Sequence, residues 1–516
     1  MKTSKYIVMA LGLGLTTALS SCHMDLGPTD SIEVPDANNS IKSELDLTSM
    51  RNGVYQAFRS TFYGDNSQTS ELMCDGFNYT ADNGNIYGPI HRTGPDFTSS
   101  DYDTQALWES MYSAIKDYNI FIHSAQNFGE ANAELKAEAD FYAGEALCMR
   151  AYSYMQLVRH FAKAYNTTTA SSDLGVPLVL AYDQTEKPHR ATVAKVYEQI
   201  KADLDQAAAY GIADEDGAVR AEGVTADVLN MLYARYYLDT RNGAKAAEYA
   251  EKVINSAAGY QLAATAEAMK AEYTNDNGTE AIMQLPATIT ENGSGTNSAY
   301  TNFGSQASWA QFGFPGGGVY MRPYFIPSMK LLSLYDDNDL RLSQWFKVNY
   351  YLIYYNGGLY ANIYTFNRYN GNPELTSNGV PNARQHVKPF LLGEAYLIAA
   401  EGYHNAGDNA KAKEVLNALQ AKRGATVTEA TDENIENEWF KETIGEGQRM
   451  ICLKRWGKGY EGREAQPQAV SKNYVNTGAN YDQKSMPADD KHWVWPIPSY
   501  EIRVNPNLEG EQNPGY

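Results

Sequence analysis

The chain has 516 residues and a formal charge of −20, from 42 basic against 62 acidic side chains, and 43% of its residues are hydrophobic. That is enough apolar material for a large core, or for two cores sharing an interface. The acidic balance argues against a nucleic-acid binder, which needs a basic face to meet phosphates, and against a protein held on anionic lipid by charge. The 39 Tyr against 16 Phe suit wet, amphipathic surfaces, because tyrosine joins a flat apolar face to a hydroxyl.

Residues 1–21 read as an export signal. Lys2 and Lys5 make a basic start, and Tyr6 to Leu19 is an apolar run of 14 residues, too short to span a bilayer comfortably. Leu19-Ser20-Ser21-Cys22 resembles a bacterial lipobox. That resemblance implies cleavage before Cys22 and lipid on Cys22, with stable anchoring once two or more acyl chains are attached. Residues 22–45, rich in Pro, Asp, Ser and Asn, are expected to form a flexible tether. The remaining thiols, Cys74, Cys148 and Cys452, allow at most one internal bridge, and none has CxxC spacing. Cys148 and Cys452 are expected to be small core residues on helices.

The body divides into a helical part, 46–260, and a second part, 261–516, that holds a loop-rich insertion and a final helical hairpin. Leu107, Met111, Ile115, Tyr118 and Ile122 recur at helical spacing. Residues 134–163 predict a long helix with Phe141, Ala146, Met149, Tyr152, Leu157 and Phe161 inward. Residues 192–210 predict another, with Thr192 as its N-cap. Two later segments, 224–255 and 391–424, match at an offset of 166: Ala234 meets Ala400, Tyr237 meets Tyr403, and Ala244-Lys245-Ala246 meets Ala410-Lys411-Ala412. Each is a helix, a short polar turn and an Ala-rich helix, the pattern of a tetratricopeptide hairpin. Such a unit cannot bury its face alone, so further degenerate copies are expected beside it, one of them built from 134–163 and 192–210. The region 260–390 is rich in Gly, Asn, Ser, Thr and aromatics, and 347–369 predicts a β-hairpin around Asn356-Gly357-Gly358. The expected fold class is mainly α, with tetratricopeptide-like hairpins in an α-α superhelix packed against a loop-rich region with a small β-hairpin.

Catalytic signatures are missing from the sequence. There is no GxSxG, no HExxH and no recognisable Cys/His pair, and the triple glycine at 316–318 lacks the Lys and hydroxyl of a phosphate loop. The chain is therefore not expected to be an enzyme. Asp336-Asp337-Asn338-Asp339 and Asn275-Asp276-Asn277-Gly278 could hold Ca²⁺, but neither fits the EF-hand template, and no cofactor is expected. Arg449, Lys454, Arg455 and Trp456 are expected to be structural, the basic stems packing on Trp456 and pairing with Glu446 or Glu442 across a helix turn.

Four segments together resemble the SusD/RagB family of Bacteroidetes outer-membrane lipoproteins: the lipobox at Cys22, the stretch Pro389 to Glu401 (PFLLGEAYLIAAE), the stretch Glu442 to Gly457 with Glu446-Gly447-Gln448-Arg449 and Leu453-Lys454-Arg455-Trp456-Gly457, and the tail from Trp495-Pro496-Ile497-Pro498 to Gln512-Asn513-Pro514-Gly515-Tyr516. The chain departs from the family pattern at Cys452, where an Asp is usual, and near Thr443, where a second basic residue is usual; both departures bear on local salt bridges. The resemblance implies a surface lipoprotein of the outer membrane that lies as a lid over a SusC-like TonB-dependent transporter and hands it oligosaccharides. Peptides or another small nutrient are the alternative cargo within the same architecture, and a non-enzymatic protein-interaction scaffold is the alternative outside it.

A sugar site needs exposed aromatic rings for axial C–H patches, with polar groups beside them for hydroxyls. Two places supply both. One is the loop Glu71 to Phe97, with Asp75, Phe77, Tyr79, Arg92 and Phe97; the other is Tyr300 to Tyr324, with Tyr300, Trp309 and Tyr320. By position in the chain, Phe97, Tyr300 and Tyr320 resemble places where glycan-binding relatives carry aromatics.

Overall fold

A computed structural model of the chain describes residues 37–289 except 63 and 64, residues 320–375 except 322, 349–351, 356–357 and 370, and residues 384–516 except 472. Cys22 and the start of the tether lie outside the described residues.

The scaffold is a series of helices, each packed on the next. They are α1 (Glu44–Ser60), α2 (Tyr102–Ala131), α3 (Lys136–Phe161), α4 (Val193–Ala209), α5 (Ala226–Asp239), α6 (Gly243–Ile254), α7 (Leu392–Asn405) and α8 (Asn409–Lys422). The boundaries follow from capping chemistry. Ser43, Asp101, Thr192 and Thr225 each accept a hydrogen bond from a backbone N–H in the first turn that follows, satisfying a donor that has no partner within the helix. The expected N-cap at Thr192 is one of these.

The repeat signal is structural. Asn242 caps α6 by accepting from Lys245 N–H, and 166 residues later Asp408 caps α8 by accepting from Lys411 N–H. The residue before each cap takes a left-handed backbone, Arg241 at φ 68° and Gly407 at φ 84°. The two hairpins stack through α6 and α7, where Gly243 and Gly402 face each other. A Cβ on Gly402 would lie 2.6 Å from the Gly243 carbonyl oxygen, and one on Gly243 would lie 2.5 Å from the Gly402 oxygen. Only glycine permits that approach of two backbones.

The expected one-sided inward face of 134–163 is too modest. From Ala143 to Phe161 every residue of α3 is buried, so this helix is the centre of the bundle, while Phe141 near its start is only partly covered. Cys148 and Cys452 are buried on helices as expected, and Cys74 is also buried; all three are free thiols.

The 137 residues between α6 and α7 do not interrupt the stack. The strand Ala281–Leu285 leaves the scaffold and Val387–Leu391 returns antiparallel to it, with Leu391 opposite Ala281 and Val387 opposite Leu285. This ladder closes the insertion at its root and sets α7 down on α6. The expected hairpin is present: Leu352–Tyr355 pairs antiparallel with Gly358–Tyr360, and further out Thr365 pairs with Lys347. Tyr320–Met321 adds a parallel strand to the same small sheet.

Buried ion pairs join the parts. Arg423, just past α8, lies between Glu280 (2.6 and 2.8 Å) and Glu442, while Arg341 in the insertion reaches Asp339, Glu438 and Glu442 at 2.6–2.9 Å. Glu438 and Glu442 belong to helix α9 (Asp432–Glu442). The basic residues of helix α10 (Gln448–Trp456) are structural, but with partners other than those expected. Arg455 and Trp456 both donate to Glu401 on α7, Arg449 pairs with Asp75 and Glu436, and Lys454 donates to the Arg159 carbonyl. Glu442 and Glu446 are instead taken by Arg341, Arg423 and Arg368. The two motif segments therefore clamp each other across the fold, and not each within itself.

Candidate functional site

The first candidate loop begins on the strand Phe77–Tyr79, which pairs antiparallel with Phe325–Pro327. Its base is tied to two distant segments. Thr80 N–H donates to Tyr324 O (3.1 Å), Thr80 Oγ1 to Pro323 O (2.7 Å), Ala81 N–H to Tyr474 O (2.9 Å), and Asn476 N–H to Tyr79 O (3.0 Å). Asn83 Nδ2 adds a bond to Tyr324 O at 3.1 Å. From this platform the chain enters a contorted stretch, with Asn85 at φ 73°, Tyr87 at 51° and Thr93 at 45°. A left-handed backbone at an aromatic or β-branched residue costs about 1–3 kcal/mol and persists only where the surroundings impose it, which is common at functional sites.

That backbone presents a polar cluster. Arg92 Nη1 donates to Asn85 Oδ1 at 3.0 Å, and Arg92 Nη2 pairs with Asp96. The Tyr79 and Tyr481 rings lie 5.5 Å apart beside it, and both phenols interact electrostatically with the guanidinium. Partial burial works against the Arg92 charge, but Asp96 and Tyr481 outweigh it and raise its already high affinity for a proton. Gly88 makes room: a Cβ there would lie 2.1 Å from Asn85 Oδ1 and 2.7 Å from Arg92 Nη1. Asn85 and Asp96 are exposed, and Arg92 and Tyr481 are half-buried. The arrangement offers a fixed fork of N–H donors, a carboxylate, an amide and a phenol at one surface, a set that matches adjacent hydroxyl groups.

Among the described residues, Arg92 is the one sequence candidate that stands in this rim with solvent access. Asp75 is fully buried against Arg449 and Lys330. Phe77 is buried edge-on to Phe366 at 5.4 Å. The Tyr79 ring lies buried among His91, Phe325 and Tyr481. Phe97 is 1% exposed, stacked on His492 at 5.5 Å and edge-on to Trp495 and Tyr516. Asp75, Phe77 and Phe97 are therefore core residues and give no ring or charge to a solute; each sits beneath the loop. Tyr300 and Trp309 lie outside the described residues, as does the side chain of Tyr320.

Sequence reasoning missed Asn85, Asp96 and Tyr481. The Asn83-Gly84-Asn85 run is a turn signal that could have marked the first. Tyr481 is almost 400 residues from Arg92, and nothing local announces it. The two Asp/Asn-rich stretches considered for Ca²⁺ are engaged by protein donors: Asp276 by Lys388, Asn372 and His386 N–H, Asp339 by Arg341, and Asp336 by Thr426 N–H.

The chain was compared with known proteins. No curated protein matches it. Among solved structures it is similar to a SusD superfamily protein from Bacteroides thetaiotaomicron (24% identity, 91% of this chain and 99% of the other, TM-score 0.72) and to surface glycan-binding protein A from Bacteroides fluxus (21%, 92% and 100%, TM-score 0.67). It is also similar to a laminarin-binding SusD-like protein (19%, 92% and 100%, TM-score 0.67). At these identities the likeness shows the tetratricopeptide-like helical fold. A family model described as starch-binding and associating with the outer membrane matches residues 28–215, and the SusD family model matches residues 235–516. With more than half of its length matched by that second model, the chain belongs to the SusD family, whose proteins bind carbohydrate and are not catalytic.

Proposed function

We propose that this protein is a cell-surface lipoprotein of the outer membrane that captures oligosaccharides at the rim around Arg92 and passes them to a SusC-like TonB-dependent transporter. The observation that carries this reading is the match along both halves of the chain to a family whose models are described as SusD and as starch-binding with outer-membrane association. The named relatives support the ligand class, since they include a laminarin-binding and a glycan-binding protein. The rim supports it chemically: its donors and acceptors are fixed before a ligand arrives, which lowers the ordering cost of binding. Lipid on Cys22 would hold the protein at the membrane, as no described helix is long and apolar enough to cross one. Capture by this route calls for no cofactor.

Calorimetric titration of the soluble domain against α-glucan, β-glucan and other oligosaccharides tests the proposal, with peptides of similar size as the comparison. Saturable binding of at least one oligosaccharide is expected. Binding of peptides with none of any glycan would overturn it. Co-purification of the lipidated protein with a large outer-membrane barrel tests the delivery step.

A further inference from the structure

Two described segments carry the side chains of the Arg92 rim, 79–97 and 474–485, and the charged side chains on them are Asp82, Arg92, Asp96, Asp482 and Lys484. Asp96 alone among these five is exposed; the others are half-buried. Asp482 accepts from Gly478 N–H at 2.7 Å, and Lys484 Nζ donates to the Thr93 carbonyl at 3.4 Å. Within the Arg92–Asp96 pair the exposure is unequal, 45% for the Asp96 side chain and 17% for that of Arg92. The carboxylate is therefore the outer charge and the guanidinium the inner one.

Asp96 is held in that place by its loop. Phe97 N–H donates to the Gly94 carbonyl at 3.0 Å, closing a tight turn with Pro95 and Asp96 at its centre. The Pro95 ring fixes the first central dihedral of the turn, and buried Phe97 anchors its end among His492, Trp495 and Tyr516. A Cβ on Gly94 would lie 3.0 Å from Asp96 Oδ1, so the carboxylate lies back over the loop. On the inner side Asn85 Oδ1 accepts from Arg92 Nη1 at 3.0 Å. Both charges are thus placed before any ligand arrives.

A sugar carboxylate approaching Arg92 meets Asp96 first. It must either displace Asp96, which exchanges one ion pair for another, or lie beside it, which sets two like charges together. The formal charge of −20 on the chain adds a long-range repulsion. A neutral hydroxyl meets neither obstacle. It can accept from the Arg92 N–H groups that the protein leaves open and donate to the outer lone pairs of Asp96. We propose that Asp96 sets the charge selectivity of the rim, so that it takes oligosaccharides of neutral sugars and turns away those that carry uronate groups. This inference rests on the oligosaccharide reading given above and narrows its ligand class.

The test is calorimetric titration of the soluble domain with maltohexaose, cellohexaose and mannohexaose, each beside the same chain oxidised at C6 to the uronate. At least one neutral chain is expected to bind and to lose affinity in Arg92→Ala, with its oxidised form about tenfold weaker or more. That ratio should shrink about tenfold in Asp96→Asn, persist in Asp96→Glu, and shrink in the wild type as salt is raised, because screening weakens repulsion between exposed charges. A mere loss of the C6 hydroxyl contact would respond to neither Asp96→Asn nor salt. The proposal is overturned if an oxidised chain binds the wild type as tightly as its neutral parent, if the ratio ignores both salt and Asp96→Asn, or if neutral binding survives Arg92→Ala undiminished. The salt series uses the wild type alone and so decides even where a variant fails to fold. Binding of no chain, neutral or oxidised, would sink the oligosaccharide reading and this inference with it, whereas binding without charge discrimination sinks this inference alone.

Discussion

Arg449 and Asp75, 374 residues apart in the chain, form a two-point ion pair in the core, Nε to Oδ1 and Nη2 to Oδ2, both at 2.9 Å. Lys330 adds a third contact to Asp75 at 2.8 Å, and the guanidinium lies 4.0 Å over the Phe440 ring. Burial alone would push the Asp75 carboxyl up, but Arg449 and Lys330 overcome it and hold the group well below the ordinary carboxylate range. A residue that looked in sequence like a ligand contact is thus a bolt between α10 and the loop beneath the candidate rim.

Arg449→Met leaves Asp75 buried with Lys330 as its remaining basic partner. Breaking a buried pair from one side costs about 3–5 kcal/mol, because the other charge stays desolvated. Urea unfolding should show a loss of that order, and the double variant Asp75→Leu/Arg449→Met should recover part of it.

Glu71 gives a pH signature. It is fully buried, and burial drives its carboxyl from 4.5 up to about 8, against the opposing pull of Arg449 and the Gly447 N–H. The folded state keeps a proton that the unfolded chain has lost. Through this group, stability is greatest below the unfolded value of 4.5, falls as pH rises, and levels off above about 8. Glu71→Gln removes the dependence. The stability of Glu71→Gln relative to wild type, from denaturation at several pH values, should therefore improve between pH 4.5 and 8 and then stay constant.

The two glycine environments on the scaffold should respond in opposite directions. Gly402→Ala forces a Cβ onto the Gly243 carbonyl oxygen at 2.6 Å and the Ala247 nitrogen at 2.9 Å, both backbone atoms, and should cost about 1–3 kcal/mol. Gly53 is exposed within α1, and a methyl group added there would meet nothing within 4 Å, so Gly53→Ala should stabilise by about 0.5–1 kcal/mol. Melting temperatures of the two variants check both signs.

Arg92→Ala and Phe97→Ala separate rim from core. Arg92 is held at the surface, so its truncation should weaken oligosaccharide binding about tenfold or more with little change in melting temperature. Phe97→Ala should instead cost about 3–5 kcal/mol of stability by opening a cavity between His492, Trp495 and Tyr516. Calorimetric titration beside thermal unfolding distinguishes the outcomes.

What was legible in the sequence was local or repetitive. Helices from α2 to α8 follow from apolar spacing and from caps within three residues of the bonds they make, and the offset of 166 between the two hairpins survives in the matched caps Asn242 and Asp408. The hairpin around Asn356-Gly357-Gly358 was readable for the same reason: turn chemistry acts over a few residues. The motif residues Glu401 and Arg455 were also visible, but not that they bond to each other, since Arg455 was expected to find an acid one turn away.

Tertiary structure decided which side of the surface each aromatic falls on. Phe97 and Phe77 have the composition and setting of ligand contacts, yet the C-terminal tail covers one and the insertion covers the other. Tyr481 reaches Arg92 because the segment at 474–476 is bonded to Tyr79 and Ala81. A side chain's identity sets what it can bind; whether solvent reaches it depends on segments hundreds of residues away that pack over it or stop short. Periodicity and capping depend on near neighbours along the chain, whereas burial and ion-pair choice depend on neighbours in space.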